Sequence, residues 1–162
     1  MGGRIGFGLA KYAPARVYSL IIGGSHPYGR QSPPSRRLDN TGPEAFAAAF
    51  LERMGLNPAT LPAEIREDLL ANDFQALAAA QQDHLPSLED VLRTMTMPCL
   101  LYIGEADRGF SQAKACIKEM PNATFVSLPG LNHPAGFMRS DVVLPHVTKF
   151  LRAAQDSIPK MA

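Results

Sequence analysis

"MGGRIGFGLAKYAPARVYSLIIGG" (Met1–Gly24) packs a glycine-spotted apolar segment, a proline breaker and a near-continuous apolar run into 24 residues. Residues 2–12 read as a helix. Gly3, Gly6 and Gly8 each weaken a helix in isolation, so they make sense only if this helix lies unusually close to another backbone. Pro14 ends it. Residues 16–22 then read as a strand, with Tyr18, Leu20 and Ile21 in a run that is apolar continuously rather than alternately. That pattern suits a parallel strand covered on both faces. The chain therefore starts at full stride, with no capping residue ahead of its first helix.

Outward from there, a loop, "GGSHPYGRQSPPSRRLDNTG" (residues 23–42), leads into a helical block. "PEAFAAAFLERM" is strongly helical, opened by Pro43 and closed by Gly55. A second helix is expected over residues 61–71. A third runs from Asn72, which is spaced from Gln75 as in a capping box. "SLEDVLRTM" begins a fourth, with Ser87 and Asp90 at N-cap and N3 spacing. The block, about Pro43 to Met95, interrupts a strand–helix alternation that resumes at Pro98 with the strand "CLLYIG" (residues 99–104). A helix over residues 112–120, capped by Ser111, comes next. "TFVSL" (residues 124–128) is the third strand, and the loop "PGLNHPAGFMRS" leads to an amphipathic helix over residues 141–155. Pro145 is placed in or near the first turn of that helix. Three apolar strands, each followed by helix, make an α/β fold with a helical insertion. In an open parallel sheet, ligands bind beyond the C-terminal ends of the strands. Those ends carry Ser25 and His26, Asp107, and His133.

Composition narrows the functions available. The chain has 162 residues, 46% hydrophobic and 19% charged, with a net charge of +1. This suits one ordinary domain with a real core. No basic block with interleaved aromatics is present, so nucleic acid is not an expected partner, and "SPPSRR" reads as a solvated loop. Cys99 and Cys116 form no C-x-x-C pattern and read as reduced thiols packed as small hydrophobes, pointing to a cytoplasmic protein. "IGFGLA" is too short for a signal peptide, and no apolar run approaches the roughly 20 residues of a membrane span. His26, Asp107 and His133 lack metal-ligand spacing, and neither a metal nor another cofactor is expected.

"MGGRIGFGLA", "LYIGEADRGF" and "LPGLNHPAGF", in that order, resemble the C-terminal part of an α/β-hydrolase. In that family a nucleophile sits in a G-x-S-x-G turn before a small-residue helix, and the acid and then the histidine follow. The resemblance implies a three-stranded parallel remnant of that fold. Residues 1–32 and 96–162 would form the C-terminal half of the core, and residues 33–95 an all-helical cap. It maps the acid onto Asp107, with Glu105 the neighbouring alternative, and the base onto His133. Met1 becomes the residue after the nucleophile, its backbone nitrogen a vestige of the oxyanion hole. His26, Phe46, Phe50 and Phe137 become candidates for an apolar pocket, although helix-face packing explains the phenylalanines of the block equally well.

The serine of the elbow and the strands before it have no counterpart in the sequence. Ser25, Ser111, Ser127 and Ser140 stand in no G-x-S-x-G. The expectation is therefore a fragment of a capped serine hydrolase for a small apolar ester or lactone, inactive alone. Activity would return only with the missing half. An exposed apolar patch and self-association through an open sheet edge are also expected. The alternatives are an interaction module and a binder of small apolar ligands. The absence of Trp argues against the dehalogenase-like branch.

Overall fold

The computed structural model describes residues 2–29, 48, 51, 57, 61–73, 76 and 86–156. The chain divides into two compact units: Met1–Tyr28 with Ser87–Ala162, and Gly29–Pro86. In the first unit, α1 (Gly2–Tyr12) leads through a short 3-10 turn (Pro14–Arg16) to β1 (Leu20–Gly23). After the second unit come a 3-10 segment (Glu89–Thr94), β2 (Cys99–Gly104), α3 (Phe110–Cys116), a 3-10 turn (Ile117–Glu119) and β3 (Ala123–Leu128). Two helices follow, α4 (His133–Met138) and α5 (Ser140–Asp156). The second unit contains α2 (Ala63–Leu70), between β1 and β2 in chain order.

The three strands form one parallel sheet in the order β1-β2-β3, with Leu20 beside Cys99 and Cys99 beside Ala123. β2 is central, and Cys99, Leu100, Leu101 and Ile103 are all buried. Its uninterrupted apolarity is what a strand covered on both faces requires. The core joins Phe7 of α1, Ile22 of β1, Leu101 and Ile103 of β2, and Cys116 of α3. Truncating a buried phenylalanine such as Phe7 to alanine costs about 3–5 kcal/mol.

β1 starts later than the sequence pattern suggests. Pro14 fixes its own φ and opens a turn, the Val17 N–H bonds the Pro14 carbonyl at 3.1 Å, and Tyr18 is exposed. Three of the expected caps also move. Gly109, not Ser111, is the N-cap of α3, which begins at Phe110 and turns 3-10 after Cys116. Asp73, not Asn72, accepts the Ala76 N–H at 3.0 Å, while the Asn72 amide donates back to the Asp68 carbonyl at 2.9 Å. Ser87 accepts the Glu89 N–H at 3.2 Å, a reach of two residues instead of three, and the segment winds as 3-10. Pro145 lies in the second turn of α5. The helix expected from Pro43, with Gly55 at its end, and most of the one from Asn72 lie outside the described residues.

The two-unit division differs from the sequence-based boundaries. Leu88, Val91, Leu92 and Met95 belong to the core cluster of the sheet, so residues 87–95 pack with the strands. A Lys11–Asp90 ion pair at 2.6 Å ties this segment to α1, and the hydrogen bond from Lys11 holds the Asp90 carboxyl below its ordinary value.

The glycines of α1 are not equivalent. A Cβ at Gly3 would collide with the Ser25 side chain, and one at Gly6 would lie 3.4 Å from Leu20 Cδ1. One at Gly8 would meet open space. On the opposite side of this helix Ile5, Leu9 and Tyr12 are exposed. Among the described residues, no helix is long and apolar enough to cross a membrane.

Gly8→Ala is expected to raise stability by up to about 1 kcal/mol through helix propensity, whereas Gly3→Ala lowers it; chemical denaturation of the two variants reads both signs. Burial pushes the thiols of Cys99 and Cys116 from 9.0 up to about 11. Their folded-state values lie above the unfolded ones, so protonated thiols favour the fold below about pH 9. That contribution falls away as pH rises toward about 11. Disulfide-exchange labelling at pH 8 is expected to be slow in the native chain and complete in denaturant.

Candidate active site

The three strand ends converge through backbone hydrogen bonds. Beyond β2, the Asp107 N–H returns to the Gly104 carbonyl at 3.0 Å, closing a tight turn. Beyond β3, Gly130 turns the chain with φ +70°, and the Leu131 N–H bonds the Leu128 carbonyl at 3.3 Å. The two loops are then joined: Glu105 N–H to the Leu128 carbonyl and Ala106 N–H to the Leu131 carbonyl, both 3.0 Å. A Cβ on Gly104 would strike that same Leu131 carbonyl.

Asn132 starts α4 by accepting the Ala135 N–H at 3.0 Å, with Pro134 at the second helical position. Proline is tolerated there because its missing N–H has no intrahelical partner to lose. The sequence pattern suggests a loop here; Asn132 and Pro134 were the helix-start signals within it. His133 thus occupies the first helical position, and its Nδ1 lies 2.6 Å from Asp107 Oδ2. The other carboxylate oxygen, Oδ1, accepts the Gly109 N–H at 2.8 Å. The Asp107 side chain is 7% exposed and that of His133 47%.

A carboxylate can only accept hydrogen bonds, so the hydrogen of this pair sits on Nδ1 of His133. The neutral ring then keeps its lone pair on Nε2, which has no hydrogen bond among the described residues. The pair can take a proton at Nε2 and hold the resulting imidazolium against Asp107. Glu105 is exposed and makes no hydrogen bond to His133 among the described residues.

Two glycines wall the pair. Gly24, with φ +57°, sits where a Cβ would be 3.0 Å from both Cε1 and Nδ1 of His133. A Cβ on Gly109 would be 3.4 Å from Asp107 Oδ1 and 3.3 Å from His26 Cδ2. Neither glycine is marked by a motif in the sequence, although Gly109 stands two residues after Asp107 and Gly24 directly before Ser25. His26 is thereby brought beside the acid loop, its Nδ1 buried and its ring 5.7 Å from that of Tyr28. Phe137 lies one turn after His133 in α4 and is 87% exposed, so nothing among the described residues encloses it. Met1, Phe46 and Phe50 lie outside the described residues. Ser25 packs against Gly3, Ser111 is inside α3, Ser127 is in β3 and Ser140 opens α5. Among the described residues, no serine hydroxyl is hydrogen-bonded to His133. A groove of about 600 Å³ runs along α5, past Leu144, Pro145, Thr148 and Arg152, and neither member of the pair lines it.

The sequence matches no protein-family model and no curated protein. Solved structures do match. The chain is similar to the enol-lactonase from Burkholderia xenovorans LB400, with a TM-score of 0.75 and 21% identity over 94% of this chain and 63% of that one. A thermophilic esterase from Thermogutta terrifontis gives 0.77 and 21%, over 94% and 62%. MenH from S. aureus gives 0.67 and 21%, over 94% and 65%. These are α/β-hydrolase enzymes, and the fold described above is a partial α/β-hydrolase fold. The chain spans somewhat less than two thirds of the length of each of the three.

Gly24→Ala adds a left-handed residue with a Cβ, a cost of about 1–2 kcal/mol, and presses on the imidazole. The expected result is lower stability together with a moved His133 ring, read by denaturation and by the histidine resonances in NMR.

Proposed function

We propose that this chain carries the acid and base of a serine hydrolase acting on small apolar esters or lactones. His133 is the base and Asp107 the residue that orients it. The observation that carries this reading is the 2.6 Å bond between Asp107 Oδ2 and His133 Nδ1, set between the C-terminal ends of β2 and β3 in a partial α/β-hydrolase fold. The enol-lactonase and esterase among the similar structures support the substrate class.

In this mechanism Nε2 of His133 accepts the hydroxyl proton as a serine attacks the acyl carbonyl. Asp107 stabilises the imidazolium, which then hands the proton to the leaving group; a water repeats the sequence to free the acid. The serine is not among the described residues. This reading puts it just ahead of α1, supported by the packing of the first turn of that helix through Gly3 on Ser25 and by the neighbouring Gly24, which lies against His133. Met1 would then contribute its backbone nitrogen to an oxyanion hole. The helical block, residues 33–95 by sequence and ending before Ser87 in the two-unit division, serves as cap. No cofactor enters the scheme, and the protein acts in the cytoplasm.

Two observations favour a second reading, a self-associating or interaction module. Ile5, Leu9 and Tyr12 form a stripe along α1 that is 59%, 49% and 78% exposed, and β1 pairs with β2 alone among the described residues.

The test is complementation. Alone, the chain is expected neither to hydrolyse a p-nitrophenyl ester nor to react with a serine-directed fluorophosphonate. A fusion that places the N-terminal part of an α/β-hydrolase, ending in Gly-x-Ser, ahead of Met1 should gain both properties. In that fusion His133→Ala lowers kcat by about 10⁶-fold. Fluorophosphonate labelling of the chain alone, or an active fusion indifferent to His133→Ala, would sink the proposal.

A further inference from the structure

We propose that His26 is a positioning residue for Asp107, acting through Gly109. The inference rests on the reading of Asp107 and His133 as the acid and its base. Asp107 has two oxygens and two fixed partners: the Gly109 N–H on Oδ1 at 2.8 Å and His133 Nδ1 on Oδ2 at 2.6 Å. The direction of the carboxylate toward the imidazole therefore depends on where the Gly109 amide stands. His26 stands directly against that glycine, since a Cβ there would be only 3.3 Å from His26 Cδ2. One residue, Arg108, separates Gly109 from the acid, so a shift of the glycine carries the carboxylate with it.

The histidine is itself held. Its Nδ1 is buried, and its ring is tilted at 35° to that of Tyr28. The next residue, Pro27, is fully buried and its carbonyl accepts the Leu88 N–H at 2.9 Å. The Arg4 guanidinium reaches the Tyr28 carbonyl at 3.4 Å. This loop flanks the acid–base pair at both ends: Gly24 lies beside the imidazole and His26 beside the glycine whose amide fixes the carboxylate. A ring at position 26 is thus the wall that keeps residues 107–109 from relaxing away from His133. Preorganisation of this kind comes from packing around the reacting groups as much as from the groups themselves.

The experiment follows the His133 Nδ1–H proton by NMR in the ¹⁵N-labelled full chain, beside the thermal stability of each variant. In the parent the proton is expected far downfield, and lost in Asp107→Ala. In His26→Ala it should shift upfield or broaden away while the chain remains folded, and His26→Phe, which keeps a ring against Gly109, should retain it near the parent position. Gly109→Ala, whose Cβ would press on both His26 and Asp107, should displace it too and serves if His26→Ala does not fold. A purely structural role for His26 lowers the melting temperature and leaves the resonance in place. An unmoved resonance in folded His26→Ala or in Gly109→Ala overturns the inference, as does an equal shift in both His26 variants. A downfield proton missing from the parent, or persisting in Asp107→Ala, would instead defeat the acid–base reading itself.

Discussion

The contact on which the site depends is the seating of the Leu131 carbonyl over Gly104. At the end of β2 the chain must turn to present Asp107. At the end of β3 it must cross back to present His133. Both loops occupy the same space above the sheet, and they fit because Gly104 has no side chain. Leu131 answers by accepting the Ala106 N–H at 3.0 Å. One side chain at position 104 would push the loops apart by more than a hydrogen bond tolerates. The Asp107–His133 pair is therefore a consequence of backbone packing before it is a matter of charge.

Much of this was legible from residue order. The run "CLLYIG" announces a strand buried on both faces, and β2 is the central strand. Asp107 and His133 could be placed on one side of the sheet because each follows an apolar strand, and strand ends in a parallel sheet open on the same side; their reading as acid and base comes from the family resemblance. What stayed hidden was local chemistry with several outlets. Ser111, Asn72 and Ser87 each have a hydroxyl or amide suited to capping. Which residue caps depends on a turn geometry set by neighbours such as Gly109 and Asp73. Residues 87–95 were joined to the helical block because they are helical in pattern. Their packing partners, Phe7 and Leu101 among them, lie far away in sequence, and periodicity does not report partners.

The glycines teach the same lesson from the other side. Three in one helix suggested a single cause, close approach along its length. Only Gly3 is in a space that forbids a side chain, while Gly6 is in ordinary contact and Gly8 faces open space. The two glycines that lie against Asp107 and His133, Gly24 and Gly109, stand outside that helix, where no spacing rule draws attention to them. Their function is to leave volume unoccupied beside Asp107 and His133, and a sequence records such volume only as the absence of a side chain.

β1 has a further property that follows from its register. Its Leu20 and Gly24 amides bond toward β2, to the Pro98 and Tyr102 carbonyls at 3.0 and 2.9 Å. Because alternate residues of a strand bond to alternate sides, Ile21 and Gly23 direct their N–H and C=O groups away from β2. Among the described residues this edge is a ladder with two rungs. Two rungs can specify the alignment of an incoming strand, yet they hold it only weakly, and Gly23 offers no side chain to add grip. Any polypeptide that joins the sheet here takes its register from Ile21 and Gly23, and its further hold must come from side chains of its own.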